Sequence, residues 1–221
     1  MSYHFTTWNM QGSNATTENK WNTGVAPLSN VSNVVCLQEC GGVPASAKLL
    51  EENIFGVTGF NLYSWGTDRA NKYILHYKWD IKGNRVNLAI VTKFKPLQVS
   101  ILLPDRGAQH RPTIGIFDSQ YWYYTIHAIS PGGADAPGII QSVISFTKGA
   151  GWYIAGDYNR EPNTLNCDGY KICPVDGNTY STLTPNPTTK IDYSTTNNTL
   201  YNIKGYVNRT LILSDHYAVS F

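Results

Sequence analysis

Several apolar segments of this 221-residue chain stop on an acid, an amide or a histidine. Trp8-Asn9 closes the first, Gln38-Glu39 follows Val34-Val35-Cys36-Leu37, and His127 follows Trp122-Tyr123-Tyr124-Thr125-Ile126. Asp157 and Asn159 come at the end of Trp152-Tyr153-Ile154-Ala155-Gly156, Asp192 follows Ile191, and Asp215-His216 opens the last apolar segment. A strand that ends on such a group presents it at a sheet edge, and repetition gathers polar groups into one cleft. Carboxylates and amides offer oxygen ligands, which suit Mg²⁺, Mn²⁺ or Ca²⁺ better than Zn²⁺. Histidine beside carboxylate suits proton transfer near neutral pH. A hard cation, histidines and basic side chains together describe phosphoester hydrolysis: neutralise the phosphate, activate water, stabilise the leaving oxygen. No Ser or Cys stands with a partner base as a nucleophile, no glycine-rich loop cradles a phosphate, and no histidine-cysteine spacing matches a zinc site. Singly, each residue has a plainer reading. Asp and Asn favour caps and turns, a histidine after so apolar a strand is by default a core residue, and Arg111 before a proline is an ordinary surface cation. The combination carries the functional reading.

These groups need elements to hold them. Short segments rich in β-branched and aromatic residues predict strands near 3–9, 33–38, 59–65, 72–79, 86–92, 97–103, 112–117, 121–128, 152–156, 191–195, 207–213 and 216–221. Helical patterns are few, over 18–28, 46–53 and 136–147. The last is the clearest, with Ile139, Ile140, Val143, Ile144 and Thr147 on one face and Pro137 in its first turn. Strands arrive mostly in consecutive pairs. This predicts an α+β domain spanning 1–221, its antiparallel or mixed sheets packed face to face with helices outside. The Asn/Pro/Gly/Thr-rich stretch 162–189 reads as a long irregular loop.

Charged residues make up 14% of the chain and the net charge is +2, so bulk electrostatics do not announce a nucleic-acid partner. Arg69, Lys72, Lys78, Lys82, Arg85, Lys93 and Lys95 do share one stretch, as edge protection for strands or as a phosphate-contacting surface. Hydrophobic content of 42% suffices for a core, and no apolar run reaches the ~20 residues that span a bilayer. Met1 to Phe5 lacks the basic start and apolar run of a signal peptide. Of the four cysteines, Cys36 is expected as a buried thiol, whereas Cys167 and Cys173 bracket a polar loop and would pair in a secreted protein. Sequons at Asn14, Asn30, Asn197 and Asn208 agree with secretion.

The segments Thr7-Trp8-Asn9-Met10-Gln11-Gly12-Ser13, Leu37-Gln38-Glu39, Asn84-Arg85-Val86-Asn87, Arg111-Pro112, Ile154-Ala155-Gly156-Asp157-Tyr158-Asn159-Arg160, Ile191-Asp192-Tyr193 and Ser214-Asp215-His216 occur in an order that resembles the endonuclease/exonuclease/phosphatase superfamily, which includes deoxyribonuclease I. Within it the chain looks like the B-subunit family of cytolethal distending toxins. The resemblance implies a four-layered α/β/β/α sandwich of two mixed sheets. It implies Glu39 as the main metal ligand, with Asn9 beside it and Asp215 near the metal. Asp157 and Asn159 would orient water or phosphate. His127 would stabilise the leaving oxygen, and His216 would be the second catalytic histidine, with Asp192 as its partner. Arg85 and Arg111 would contact DNA phosphates, joined by Arg160 and by Tyr77 as the site-side tyrosine. The implied activity is Mg²⁺-dependent nicking of DNA by a secreted toxin acting in the target-cell nucleus. Delivery subunits are further implied partners, although the N-terminal extension that helps to dock them is absent. A phosphoinositide phosphatase of the same fold and a catalytically silent delivery module are the competing readings.

Overall fold

The protein is described by a computed structural model over residues 3–12, 17–67, 70–104, 110–181, 186–198 and 202–221. Arg69 and the sequon asparagine Asn14 lie outside the described residues. One sheet of eight strands runs in the order β13 (Tyr206–Val207), β14 (Val219–Ser220), β1 (Tyr3–Asn9), β2 (Ser32–Gln38), β6 (Leu88–Thr92), β5 (Lys72–Tyr77), β4 (Phe60–Trp65), β3 (Lys48–Glu51). A six-stranded sheet runs β11 (Lys171–Cys173), β12 (Asp192–Thr196), β10 (Trp152–Asp157), β9 (Trp122–His127), β8 (Thr113–Phe117), β7 (Gln98–Leu102). Among the described residues each sheet is antiparallel except for one parallel pair, β1 with β2 and β9 with β10. Both sheets are therefore mixed, as expected.

Fully buried strand residues, among them Phe5, Cys36, Ile90, Ile114, Tyr124 and Ile154, fill the space between the sheets. Outside the larger sheet lies a helical segment made of α1 (Thr17–Lys20), a π-turn (Trp21–Val25) and α2 (Ala26–Val31). It packs Trp21, Val25 and Leu28 against Trp8, Val35, Leu37 and Ala89. Gly24 is required there, because a Cβ would fall 2.7 Å from the Trp8 ring. Outside the smaller sheet, α3 (Ala136–Thr147) buries Ile139, Ile140 and Val143. The four layers follow the DNase I-like plan.

Several elements depart from the sequence expectation. The helix expected over 46–53 is instead the edge strand β3, paired with β4 through Leu49↔Tyr63. Leu49 and Leu50 are each half exposed, so no apolar helix face existed to bury, and ladder pairing outweighed a helix-prone composition. The strand expected over 207–213 stops at Val207, because the Asn208 carboxamide accepts the Thr210 and Leu211 N–H groups and turns the chain. Cys167 and Cys173 are free thiols: Cys173 is in the core on β11, and Cys167 points at the Leu165 carbonyl. Within the basic stretch, Lys72 binds Ala26 O, Ser29 Oγ and Asn30 Oδ1, and Lys93 binds Asn30 O. These two cations fasten α2 rather than a ligand.

Candidate active site

Parallel pairing puts both members' C-terminal ends at the same sheet edge. Asn9 stands opposite Gln38 in one sheet, and Asp157 stands opposite both His127 and Asp192 in the other. The buried Gln38 carboxamide donates to Thr125 Oγ1 at 2.7 Å and to Thr7 Oγ1 at 3.1 Å, tying the two sheets together just beneath this edge. The chain leaves β1, β2 and β10 through Gln11, Glu39 and Asn159, all in the left-handed region at φ +47°, +47° and +50°. Such backbone is uncommon for residues other than glycine and concentrates at functional sites. Gly12 has no choice: a Cβ there would sit 2.2 Å from Glu39 O.

The result is a small cleft of about 240 Å³ lined by Gln11, Glu39, Arg111, Asp157, Tyr180 and His216, among others. Asp157, almost fully buried, is its centre. Asn9 Nδ2 donates to Asp157 Oδ2 at 2.9 Å, and Asn159 N donates to Oδ1 at 2.8 Å. Both His127 Nε2 and His216 Nε2 lie 3.8 Å from Asp157 Oδ2. His127 Nε2 also lies 3.6 Å from Glu39 Oε1, and His216 Nε2 lies 3.9 Å from Asp215 Oδ1. These separations exceed hydrogen bonds, so the two rings and the carboxylates surround a gap.

The two imidazoles are held in opposite states. His216 donates Nδ1–H to the Asp192 carboxylate, with both oxygens in reach at 2.9 and 3.1 Å. Asp192 is itself fixed by the Thr179 hydroxyl, which donates to Oδ2 at 2.7 Å. Burial opposes charge on His216, but Asp192 and Asp157 outweigh it and raise its pKa to about 9. Burial, then the nearby Arg111, hold His127 well below the ordinary histidine value. His127 is thus neutral, and its buried Nδ1 has no partner among the described residues. The ring proton belongs on Nε2, the nitrogen that faces the carboxylates. Burial pushes the Asp157 carboxyl up to about 7, with His216 pulling the other way.

Arg85 Nε donates to Glu39 Oε2 at 3.0 Å. It is placed by Asp80, whose carboxylate accepts the Gly83, Arg85 and Val86 N–H groups. Arg111 lies over the Trp79 ring with its Nη1 near His127 O. The expected residues Asn9, Glu39, Arg85, Arg111, His127, Asp157, Asn159, Asp192, Asp215 and His216 therefore converge. Two do not join them. Tyr77 lines a neighbouring groove with Trp79 and His110, and Arg160 folds back on Thr164 Oγ1 and O. The sequence reading missed Gln11, Tyr180, Thr179 and Asp80, which sit in turns and loops with no periodic pattern to mark them.

The donor set fits a hard divalent cation. Glu39, Asp157 and Asp215 supply carboxylates, Asn159 and Gln11 supply amides, and Asn9 Oδ1, which accepts Gln11 N–H, keeps a second lone pair. Asp157, Asp192 and His216 also bring ligand atoms within 4.8 Å of one another. Both Asp192 oxygens are engaged by His216 and Thr179, however, so that cluster reads better as a proton-handling chain.

A model of the endonuclease/exonuclease/phosphatase family matches residues 6–216. The chain is 38% identical over 181 residues to a homolog of the cytolethal distending toxin B subunit from Salmonella typhi, covering 75% of this chain and 67% of that one. It is 32% identical over 180 residues to the cytolethal distending toxin B subunit of Escherichia coli, covering 74% and 66%. The chain thus spans about two thirds of the length of these curated relatives. The crystal structure of the Haemophilus ducreyi cytolethal distending toxin contains a chain that superposes with a TM-score of 0.85 at 28% identity, over 99% of this chain and 97% of that one. The chain belongs to the endonuclease/exonuclease/phosphatase family of hydrolases, with cytolethal distending toxin B subunits as its relatives.

Proposed function

We propose that the protein is a Mg²⁺-dependent endodeoxyribonuclease, the nicking component of a secreted toxin. The observation that carries this reading is the pair of imidazoles whose Nε2 atoms each lie 3.8 Å from Asp157 Oδ2, one held neutral and one paired with an acid. Glu39, with Asp157, Asp215 and Asn9 around it, would hold the metal, whose charge would neutralise the phosphate, sharpen water as a nucleophile and favour the neutral form of His216. Asp157 and Asn159 orient the phosphate and the water. Neutral His216, its Nδ1–H anchored on Asp192, takes a proton from water at Nε2 as the oxygen attacks phosphorus. The bond from phosphorus to O3′ breaks, leaving a 5′-phosphate. His127 Nε2–H hydrogen-bonds to the departing oxygen, which ends as a 3′-hydroxyl with a proton from solvent, and His216 returns its proton to solvent. Arg85 and Arg111 offer charge to flanking phosphates.

A plasmid-nicking assay with Mg²⁺, and with EDTA in parallel, tests the reading. Open-circular product with Mg²⁺ alone is expected. Intact supercoiled plasmid at high enzyme, with phosphate released from a phosphoinositide instead, would transfer the same site to a lipid headgroup.

A further inference from the structure

Tyr180 belongs to no strand and carries no motif, yet it lines the cleft beside Asp157, Asp215 and His216. Its backbone is clamped there. Isolated bridges join it to Thr189 on one side and to His216 on the other. Its neighbours repeat the clamp, with Tyr217 N donating to Thr179 O at 2.8 Å and Ser181 N donating to Asp215 O at 3.2 Å. The Tyr180 ring lies over the His216 imidazole, centroids 4.6 Å apart and planes tilted by 42°. His216 is therefore held at its edge by Asp192 and on one face by Tyr180. Burial, then the carboxylates of Asp215, Asp157 and Glu39, push the Tyr180 hydroxyl above the ordinary tyrosine range, so it stays protonated. No hydrogen bond is seen from that hydroxyl among the described residues.

A phosphate in this cleft presents non-bridging oxygens, and a protonated hydroxyl on the cleft wall can donate to one of them in a charge-assisted hydrogen bond. We infer that Tyr180 is a substrate-contacting residue, its hydroxyl donating to a non-bridging oxygen of the scissile phosphate while its ring positions His216. The inference rests on the phosphodiesterase reading of the same cleft.

Two variants separate the two roles. Tyr180→Phe keeps the ring and loses the donor; Tyr180→Ala loses both. A hydrogen bond to a charged group predicts a fall of about 10- to 100-fold in kcat/KM on bis(4-nitrophenyl) phosphate for Tyr180→Phe. Binding of inorganic phosphate in the presence of Mg²⁺, measured by calorimetry, should weaken about tenfold in the same variant. Ring-proton resonances of His216 should stay in place in Tyr180→Phe and move in Tyr180→Ala. Wild-type kcat/KM and wild-type phosphate affinity in Tyr180→Phe would overturn the contact, as would a wild-type protein that binds no phosphate. His216 resonances unmoved in Tyr180→Ala would overturn the positioning role. Weakened phosphate binding in Tyr180→Phe, in a protein that cleaves no diester, would uphold the contact and remove the diesterase reading.

Discussion

His127 and His216 occupy one cleft, face one carboxylate oxygen and are driven apart in protonation by what lies behind each ring. Behind His216 stands a fully buried acid; behind His127 there is no partner among the described residues. Environments that push paired groups in opposite directions define their chemical roles. His127→Ala and His216→Ala should each lower kcat by about 10²–10⁴-fold, the usual contribution of a positioned proton-handling group. Glutamine substitutions should then differ. His127→Gln retains an N–H donor at a similar reach and should recover part of the loss, while His216→Gln offers no proton acceptor and should recover none. Steady-state kinetics on a diester substrate decide this, and near-normal turnover in either alanine variant would leave the assigned roles without support. At this scale the sequence was informative wherever a polar side chain at the end of an apolar strand reaches the cleft, as with Asn9, Glu39, His127 and Asp157. It was silent on Thr179 and Tyr180, which reach the site through a loop whose course depends on tertiary bridges to Thr189 and His216.

Between the strands, short loops are shaped by a carboxylate that stands outside the residues lining the cleft. Asp135 immediately precedes α3, yet its side chain does not cap the helix. Instead Oδ2 accepts Arg111 N–H at 2.9 Å and Oδ1 accepts Ile129 N–H at 2.7 Å, joining the loop before β8 to the one after β9. Asp135 is 5% exposed and both bonds are part-buried, so Asp135→Ala would leave two backbone donors without their acceptor at the margin of the core. Both donors are only part-buried, so the low end of the usual range of about 1–3 kcal/mol for each unsatisfied group applies: the variant should lose about 2 kcal/mol in urea unfolding and bind substrate less tightly as Arg111 loosens. A loss below about half a kcal/mol, the usual range for a neutral surface change, would show that the two loops do not depend on it. Elements were legible in the sequence where burial imposes a pattern: α3 fell within its expected bounds, and the central strands ended within two residues of expectation. They were misread where burial is weak. The edge strand β3 exposes all four of its residues, and the segment after Val207 follows an Asn-directed turn that its apolar content conceals.

The assembled sandwich concentrates Glu39, Asp157 and Asp215 at one edge, where they repel one another unless protons or a cation intervene. The metal-free protein should reflect that in its pH dependence. Asp157 has its carboxyl raised to about 7 by burial, so the native state holds this proton more tightly than the unfolded chain. The stability it contributes is present at acid pH and is lost as pH rises through about 7. For His216, with burial opposing and Asp192 and Asp157 prevailing, the folded value of about 9 exceeds the ordinary 6.5. Its contribution is complete below that ordinary value and disappears as pH climbs through about 9. Both groups therefore predict a melting temperature that declines from mildly acid to alkaline pH in EDTA. Mg²⁺ should reverse the trend, because it replaces the protons the cleft gives up. At a hundredfold excess over its dissociation constant, a ligand specific to the native state adds about 2.7 kcal/mol. For a domain of this size that corresponds to roughly 5–10 °C. Differential scanning fluorimetry at pH 5.5 and pH 8 should give a larger Mg²⁺ shift at the higher pH. Glu39→Gln, which keeps the shape and removes the charge, should abolish most of it. A shift of equal size at both pH values, or one untouched in Glu39→Gln, would place the cation elsewhere on the molecule and separate metal binding from the edge where the two sheets' parallel strands end.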